Sequence, residues 1–200
     1  MSVKLTDALL DVANGGTGAT THTAHGVLLG NGTGAIAATA AGTTGQVLVG
    51  VTGGNPTFGN WLPRAKFKSA QQNVISSTTL VDCTGMSFEI GANEVWMFLM
   101  TLACSSNSTA GFKFTFTLPS GATGSNRSTG TSAFSYADQD ITLTNGSTVT
   151  YSGTASQQIY GNVTNGSTAG TVQFKFAQNA SLAANTSVLK SSQLIAWRVS

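Results

Sequence analysis

The segment FKFTFTL, residues 112–118, alternates large apolar side chains with lysine and threonine. Successive side chains of a β-strand point to opposite faces, so Phe112, Phe114 and Phe116 share one face of the strand that this pattern predicts. Lysine and threonine then occupy the opposite face, which is typical of a strand with one buried side and one solvated side. We therefore expect the three phenylalanines to lie in a hydrophobic core.

The same alternation recurs toward the C-terminus, where Phe174 and Phe176 flank a lysine and Trp197 follows Ile195 at two-residue spacing. Further strand candidates, separated by Asn-Gly and glycine turn signals, span residues 73–81, 86–90, 94–104, 141–144, 149–151 and 157–163. The predicted core consists of Trp96, Phe98, Phe112, Phe114, Phe116, Phe174, Phe176 and Trp197. About eight to ten short strands with no amphipathic helix between them predict a jelly-roll-like antiparallel β-sandwich head over residues 64–200.

The strand candidate at residues 94–104 is apolar on both faces. Trp96, Phe98 and Met100 fill one face, whereas Met97 and Leu99 lie on the other. One face is expected to line the core of the sandwich. The second face also needs an apolar cover, and we expect a neighbouring subunit to supply it.

The part of the sequence that precedes the predicted head has a different composition, because residues 12–63 contain no Asp, Glu, Lys or Arg. Within it, an apolar triplet followed by glycine occurs twice, twenty residues apart, as Val27, Leu28, Leu29 and Gly30 and then as Val47, Leu48, Val49 and Gly50. Each repeat predicts one short strand and one glycine-rich turn, which bury little by themselves. Repeated units of this kind are stabilised by stacking on further copies, so we expect other chains to supply those copies.

The same composition raises two alternatives to an intertwined stalk. A collagen helix is excluded, because the glycines keep no period of three. A flexible Gly/Thr linker stays an alternative, although such linkers seldom carry recurring valine and leucine triplets. On the stalk interpretation, residues 1–63 form an N-terminal arm and a Gly-rich stalk. Residues 1–11 are then a short helix or arm, since they lack the long apolar segment of a secretory signal.

Charge and apolar-run length argue against nucleic-acid and membrane partners. Only 8% of the residues are charged and the formal net charge is +2, so no basic surface of the kind that binds nucleic acid is expected. The most apolar run, residues 95–104, has about half the length of a membrane-spanning helix. Arg64, Lys66 and Lys68 form a basic cluster whose alternate spacing indicates a solvated strand edge.

Candidate catalytic and metal-binding residues are few. His22 and His25 are the only histidines, and both lie far in sequence from most carboxylates. This separation argues against a hydrolytic triad, so we expect no enzyme activity and no cofactor. Around a threefold axis the pair would supply six imidazoles, which keeps His22 and His25 as candidates for a transition-metal site. Cys83 and Cys104 are expected to be buried thiols, with a disulfide across the sheet as the alternative.

Three runs in the glycine-rich region resemble a segment found in tail fibres and related surface proteins of tailed bacteriophages. They are NGGTGATT at residues 14–21, HGVLLGNGTGAI at residues 25–36 and TTGQVLVGVTGGNPTFG at residues 43–59. The resemblance implies a parallel homotrimer whose glycine-rich segments intertwine as a β-stalk on the virion surface, after assembly in the bacterial cytoplasm. Residues 76–98 resemble, more loosely, the β-rich trimeric knobs that follow such stalks.

The residues and the resemblance together predict a non-enzymatic, homotrimeric structural protein of a phage virion. In one role the trimer is a capsid cement or decoration protein, and its partner is the major capsid protein. In the other role it is a short tail fibre whose head binds a host surface glycan or protein for host attachment. Loops around residues 121–130 and 162–170 would then present Arg127 to the host. The shortness of the glycine-rich segment favours the capsid role, because a host-reaching fibre needs a longer shaft.

Overall fold

The computed structural model describes residues 11–130, 141–142, 149–151 and 155–200. These residues are all β apart from a 3-10 turn at Val12–Asn14 and the connecting loops, and their strand pairs are antiparallel. The described residues include no helix with the length and apolarity that a membrane crossing requires. The chain divides into two compact units, one ending at Leu62 and the other beginning at Pro63. Of the predicted arm at residues 1–11, only Asp11 lies within the described residues.

The first unit contains two small hairpins. β1 (Leu28–Leu29) pairs with β2 (Ala37–Ala38), and β3 (Val47–Val51) pairs with β4 (Gly54–Gly59). In the second hairpin the chain reverses at Gly53, whose φ of +70° lies in the left-handed region that glycine adopts without strain. Each repeat is thus two strands, where the sequence predicted one strand and a bend. The returning strands β2 and β4 escape prediction because they carry no run of large aliphatic residues.

The second unit consists of two antiparallel sheets. Its strands are β5 (Arg64–Phe67), β6 (Gln72–Val74), β7 (Val81–Ile90), β8 (Val95–Ser106), β9 (Phe112–Thr117), β10 (Thr123–Gly130), β11 (Ile141–Thr142), β12 (Val149–Tyr151), β13 (Ala155–Thr164), β14 (Gly170–Gln178), β15 (Thr186–Val188) and β16 (Gln193–Arg198). The smaller sheet has the order β12-β9-β14-β7, and the larger one runs β11-β10-β13-β8. Beyond β8 the larger sheet forks. β16 pairs with residues 96–101 of β8 and leads to β5, whereas β15 pairs with residues 104–106 and leads to β6.

The two sheets face each other across one hydrophobic core. Phe98 of β8 lies 5.9 Å from Phe88 of β7 and 4.8 Å from Phe116 of β9, measured between ring centroids. Phe116 also contacts Phe174 of β14, at 5.2 Å. Because these contacts join the larger sheet to the smaller one, the second unit is a β-sandwich. Seven of the residues predicted for the core are buried in it, namely Trp96, Phe98, Phe112, Phe114, Phe116, Phe174 and Phe176.

Trp197 is the exception among the predicted core residues. In β16 the buried side chains are Leu194 and Ala196, and both Ile195 and Trp197 point to the opposite face, where they are partly exposed. The prediction that Trp197 belongs to the core is therefore wrong. Period-two alternation selects the wrong face here because both faces of this strand carry apolar residues.

A carboxylate holds the beginning of β8 against the end of β16. Glu94 Oε2 accepts hydrogen bonds from the Gly91 amide at 2.6 Å and from Trp96 Nε1 at 2.8 Å. Its Oε1 pairs with Arg198 of β16 at 2.8 Å. The guanidinium of Arg64 lies 5.1 Å from the centroid of the Trp96 ring. These contacts orient Trp96, because its polar edge has a partner while its ring packs in the core.

The basic cluster of β5 differs from the predicted solvated edge. β5 is an edge strand and Lys66 is exposed, but Lys68, just beyond the strand, is only 6% exposed. Lys68 Nζ donates to Gln72 Oε1 at 3.1 Å and to the carbonyl oxygen of Thr84 at 3.0 Å. The prediction of a solvated side chain is therefore wrong for Lys68. Its burial is tolerated because these oxygen atoms replace part of the hydration that the ammonium loses.

Candidate binding surfaces

The first unit leaves the apolar residues of its repeat uncovered. Among the described side chains of residues 11–62, no apolar one is buried, whereas Thr39 is buried and its Oγ1 accepts a hydrogen bond from the Val27 amide at 2.9 Å. Leu28 is 52% exposed and Leu48 is 42% exposed. Val27 is also exposed, and partial exposure is found for Leu29, Val47 and Val49. The residues predicted to form the stalk therefore have no core of their own within one chain.

The two histidines are exposed in the segment that precedes β1. His22 has no assigned secondary structure, and His25 lies in a turn with a φ of 60°. Throughout the part of the chain that the structure describes, no group of three or more His, Cys, Asp or Glu residues is placed to hold a metal ion. A metal site at His22 and His25 would therefore depend on histidines from other chains.

Both cysteines are buried. Burial raises the pKa of the Cys83 thiol to about 11, and the charge of Lys68 opposes this shift. Since the thiolate is the reactive form of cysteine, a thiol with this pKa stays protonated and unreactive near neutral pH. Cys83 thus belongs to the packing of the core and is not a candidate nucleophile.

The outer face of the larger sheet is a second uncovered surface. Across β16, β8, β13 and β10, the pairing registers align the outward side chains into two rows. The first row is Trp197, Met97, Asn162 and Ser125, and the second row is Ile195, Leu99, Tyr160 and Arg127. The two rows are about 7 Å apart, because they differ by two residues along each strand.

A trough of about 190 Å³ lies between these rows. The residues of its floor are Phe98, Gly161 and Asn126, which pair across β8, β13 and β10. A Cβ on Gly161 would lie 2.2 Å from Cζ of Phe98, so only glycine lets this core ring pack directly beneath β13. The walls of the trough are formed by six outward side chains, namely Met97, Trp197, Tyr160, Asn162, Ser125 and Arg127.

One end of the trough is apolar and the other is polar. Trp197 and Met97 form the apolar end, on β16 and β8, and the side chain of Met97 is 44% exposed. Ser125 and Arg127 lie at the polar end on β10, and Asn162 of β13 donates from Nδ2 to Ser125 Oγ at 2.9 Å. The trough combines an aromatic wall with a few polar groups, as ligand sites do, but it is open and smaller than the cavities of about 300–1,000 Å³ that enclose drug-sized ligands.

Sequence reasoning missed how this surface is assembled. Residues 121–130 were predicted to be a loop at the tip of the sandwich, but β10 occupies most of them, so that prediction is wrong. The run TGSNRSTG lacks apolar alternation, because outward serine and arginine alternate with inward residues that are also polar. Arg127 is instead placed on a strand by pairing with Tyr160 of β13.

Comparisons with protein-family models and with curated proteins found no match to this sequence. Among solved structures, the chain is similar to one described as "Structure of infectious bursal disease virus Gx strain", with 13% identity over 75% of this chain and 44% of that chain. Our chain thus spans less than half the length of that viral chain. The TM-score is 0.18, so this similarity supports no conclusion about fold or function.

Proposed function

We propose that this chain is a non-enzymatic structural protein of a bacteriophage virion and forms a homotrimer on the particle surface. The glycine-rich residues up to 63 form an intertwined β-stalk, and residues 64–200 form a jelly-roll-like head. In its primary role the trimer is a capsid cement or decoration protein that binds the major capsid protein and stabilises the shell. This proposal extends the resemblance of residues 14–59 to phage surface proteins.

The observation that carries the proposal is the exposure of Leu28 and Leu48 in the single chain. A two-stranded hairpin is marginally stable on its own, and neither hairpin of the first unit buries a leucine. Covering a leucine fully contributes about 1.5–3 kcal/mol, so packing three copies around one axis would stabilise both hairpins. The lack of charged residues between 12 and 63 means that no ionised group opposes this packing.

The order of strands supports a jelly-roll interpretation of the head. Consecutive long strands alternate between the sheets, with β7 in the smaller sheet, β8 in the larger and β9 in the smaller. The alternation continues at β10 and resumes from β12 to β15, whereas β11 and β16 each follow a strand of the same sheet. Double-sheet jelly rolls cross between their sheets in this way, and they occur in viral capsid and lectin domains. Such a head leaves its outer sheet faces available to partners.

A second candidate function, host attachment as a short tail fibre, is favoured by the trough on the head. Trp197 and Tyr160 present aromatic side chains beside the polar groups of Asn162 and Ser125. A capsid-binding role does not require such a concave site. The two roles differ in copy number, because a cement protein covers the shell whereas a fibre occupies a few positions on the tail.

Removing this protein from the particle tests the proposed role. A cement protein binds the assembled shell preferentially, so each occupied site adds stabilisation that sums over the capsid. Particles assembled without it are expected to lose infectivity faster on heating, by at least tenfold, while adsorbing to cells at the normal rate. The measurement is survival after heating together with the fraction of particles bound to cells.

Adding back purified protein provides the control for that experiment. Wild-type protein should restore heat resistance to the depleted particles, and a variant that cannot trimerise should not. Particles that keep their normal heat resistance but fail to adsorb would contradict the cement role and support the fibre role.

A further inference from the structure

We propose that the trough on the outer face of the larger sheet binds a neutral oligosaccharide, with one sugar ring seated over Gly161, between the row that holds Trp197 and Asn162 and the row that holds Tyr160. The site lies within the second unit of one chain, to which Trp197, Met97, Tyr160, Asn162 and Ser125 all belong, so it does not require the trimer. The inference rests on the second candidate function, host attachment, for which it names the ligand class and the residues.

The size of the trough suits a single ring better than a protein element. Its volume of about 190 Å³ is similar to that of a cavity of about 150 Å³ that admits a benzene ring. The rows on either side are about 7 Å apart, which leaves room for a flat ring between them. An α-helix of a partner protein, about 10–12 Å across, is too wide to enter.

The chemistry of the two ends matches the two kinds of surface on a sugar. A pyranose has C–H groups on its faces, and these weakly positive hydrogens suit the negative face of an indole or phenol ring. Trp197 lies partly exposed at the apolar end, and Tyr160 is 44% exposed on the second row. Both aromatic rings are held by strands, so little conformational freedom is lost when a ligand binds.

The polar end supplies the donors and acceptors that sugar hydroxyls require. Asn162 uses one amide N–H for Ser125 Oγ, which leaves its second N–H and its oxygen for a ligand. The Tyr160 hydroxyl donates to Gln158 Oε1, so the phenolic oxygen can still accept a hydrogen bond. Asn162 and Ser125 are uncharged, and Arg127, the charged side chain of the wall, already interacts with another group of the protein, so the ligand needs no ionic group.

The trough keeps its shape without a ligand because the backbones of its wall residues are paired within the sheet. Met97 pairs with Trp197 on one side and with Asn162 on the other, so the row of side chains is fixed by three ladders of backbone hydrogen bonds. The site is thus formed before a ligand arrives. Preformed sites of this kind are typical of small-ligand binding.

The test uses the full chain and a panel of neutral trisaccharides, namely maltotriose, cellotriose and triacetylchitotriose. Binding is measured by titration calorimetry and by the change in tryptophan fluorescence. At least one of the three is expected to bind with a Kd of about 1 mM or lower, which is an ordinary affinity for a shallow single-ring site. The Trp197→Ala variant is expected to weaken that binding by at least tenfold, and Asn162→Ala by at least threefold.

Two further variants serve as controls. Trp197→Phe keeps an aromatic face and is expected to bind more tightly than Trp197→Ala, which separates loss of stacking from misfolding. Phe67→Ala removes a 65% exposed ring from β5 that does not line the trough, so its Kd should stay within about twofold of wild type. An unchanged unfolding midpoint verifies that each variant is folded.

Two results would overturn the proposal. One is the absence of binding by all three trisaccharides at concentrations up to about 10 mM, roughly tenfold above the expected Kd. The other is a mass in solution that falls for Trp197→Ala and Phe67→Ala alike, which would make this face an interface with a second copy of the chain. The first result does not bear on the stalk, whose residues lie in the first unit, whereas the second would assign part of the association between chains to the head.

Discussion

Replacing Leu28 and Leu48 together by aspartate is expected to convert the trimer into monomers. Both leucines are exposed in the single chain, and the proposed stalk covers them only by packing against other copies. The double variant would place two carboxylates from each chain close to a shared axis. Burying an unpaired charge costs several kcal/mol, and like charges around an axis also repel, so association should weaken by several orders of magnitude. Light scattering of the purified variant measures the change in mass.

The control for this variant adds the same charge to the same hairpins at places where the stalk does not need apolar contact. Thr33 and Thr52 are exposed in the turns that follow β1 and β3. The Thr33→Asp/Thr52→Asp double variant should remain trimeric, since turn residues stay in water. A Leu28→Asp/Leu48→Asp protein that keeps the trimer mass would show that these leucines do not line the axis.

Trp96→Ala is expected to have the largest effect on the stability of the head. The indole is 1% exposed, its ring centroid lies 5.8 Å from that of Phe88, and its Nε1 donates to Glu94. Truncation leaves a cavity and also removes a hydrogen-bond donor from a partly buried carboxylate. The free energy of unfolding should fall by about 3–5 kcal/mol.

Urea denaturation of the full chain at a fixed protein concentration measures this loss. Trp61→Ala provides a matched control, because Trp61 is 37% exposed and belongs to the first unit. Its effect on unfolding of the head should stay below about 1 kcal/mol, as is usual for surface substitutions. A comparable loss in both variants would mean that Trp96 is not a central residue of the core.

The sandwich was predictable because strands such as β9 have one apolar face and one polar face. Phe112, Phe114 and Phe116 alternate with lysine and threonine, so their burial follows from period two alone. The same rule misplaced Trp197, whose strand is apolar on both faces. Only the register with β8 decides which face meets the core, and register depends on contacts distant in sequence.

The trough was not predictable for a related reason. It requires Trp197, Met97, Asn162 and Ser125 to lie in one row, and these residues come from four strands that are widely separated along the chain. The strand that carries Ser125 and Arg127 has no apolar pattern, so its existence follows from pairing with β13 and not from its own residues. Gly161 gave no signal either, because its role is to leave space above Phe98.

The apolar triplets of the first unit were recognised from the sequence, but their returning strands were not. The returning strands are β2 (Ala37–Ala38), which pairs with β1, and β4 (Gly54–Gly59), which pairs with β3. This pairing uses backbone hydrogen bonds, which small or polar residues can form. The number of chains that pack together is a further step. The proposed number, three, rests on the resemblance to phage stalks, since composition alone would favour twofold symmetry.

The mass of the purified 200-residue chain in solution is the direct test of the proposed trimer. In the proposed stalk three chains cover Leu28 and Leu48, so light scattering combined with size-exclusion chromatography should give three times the chain mass of 20.3 kDa. This mass should hold on dilution to micromolar concentration, because a stalk formed by several apolar contacts per chain dissociates slowly. A folded species of 20.3 kDa that stays monomeric at high concentration would contradict the account.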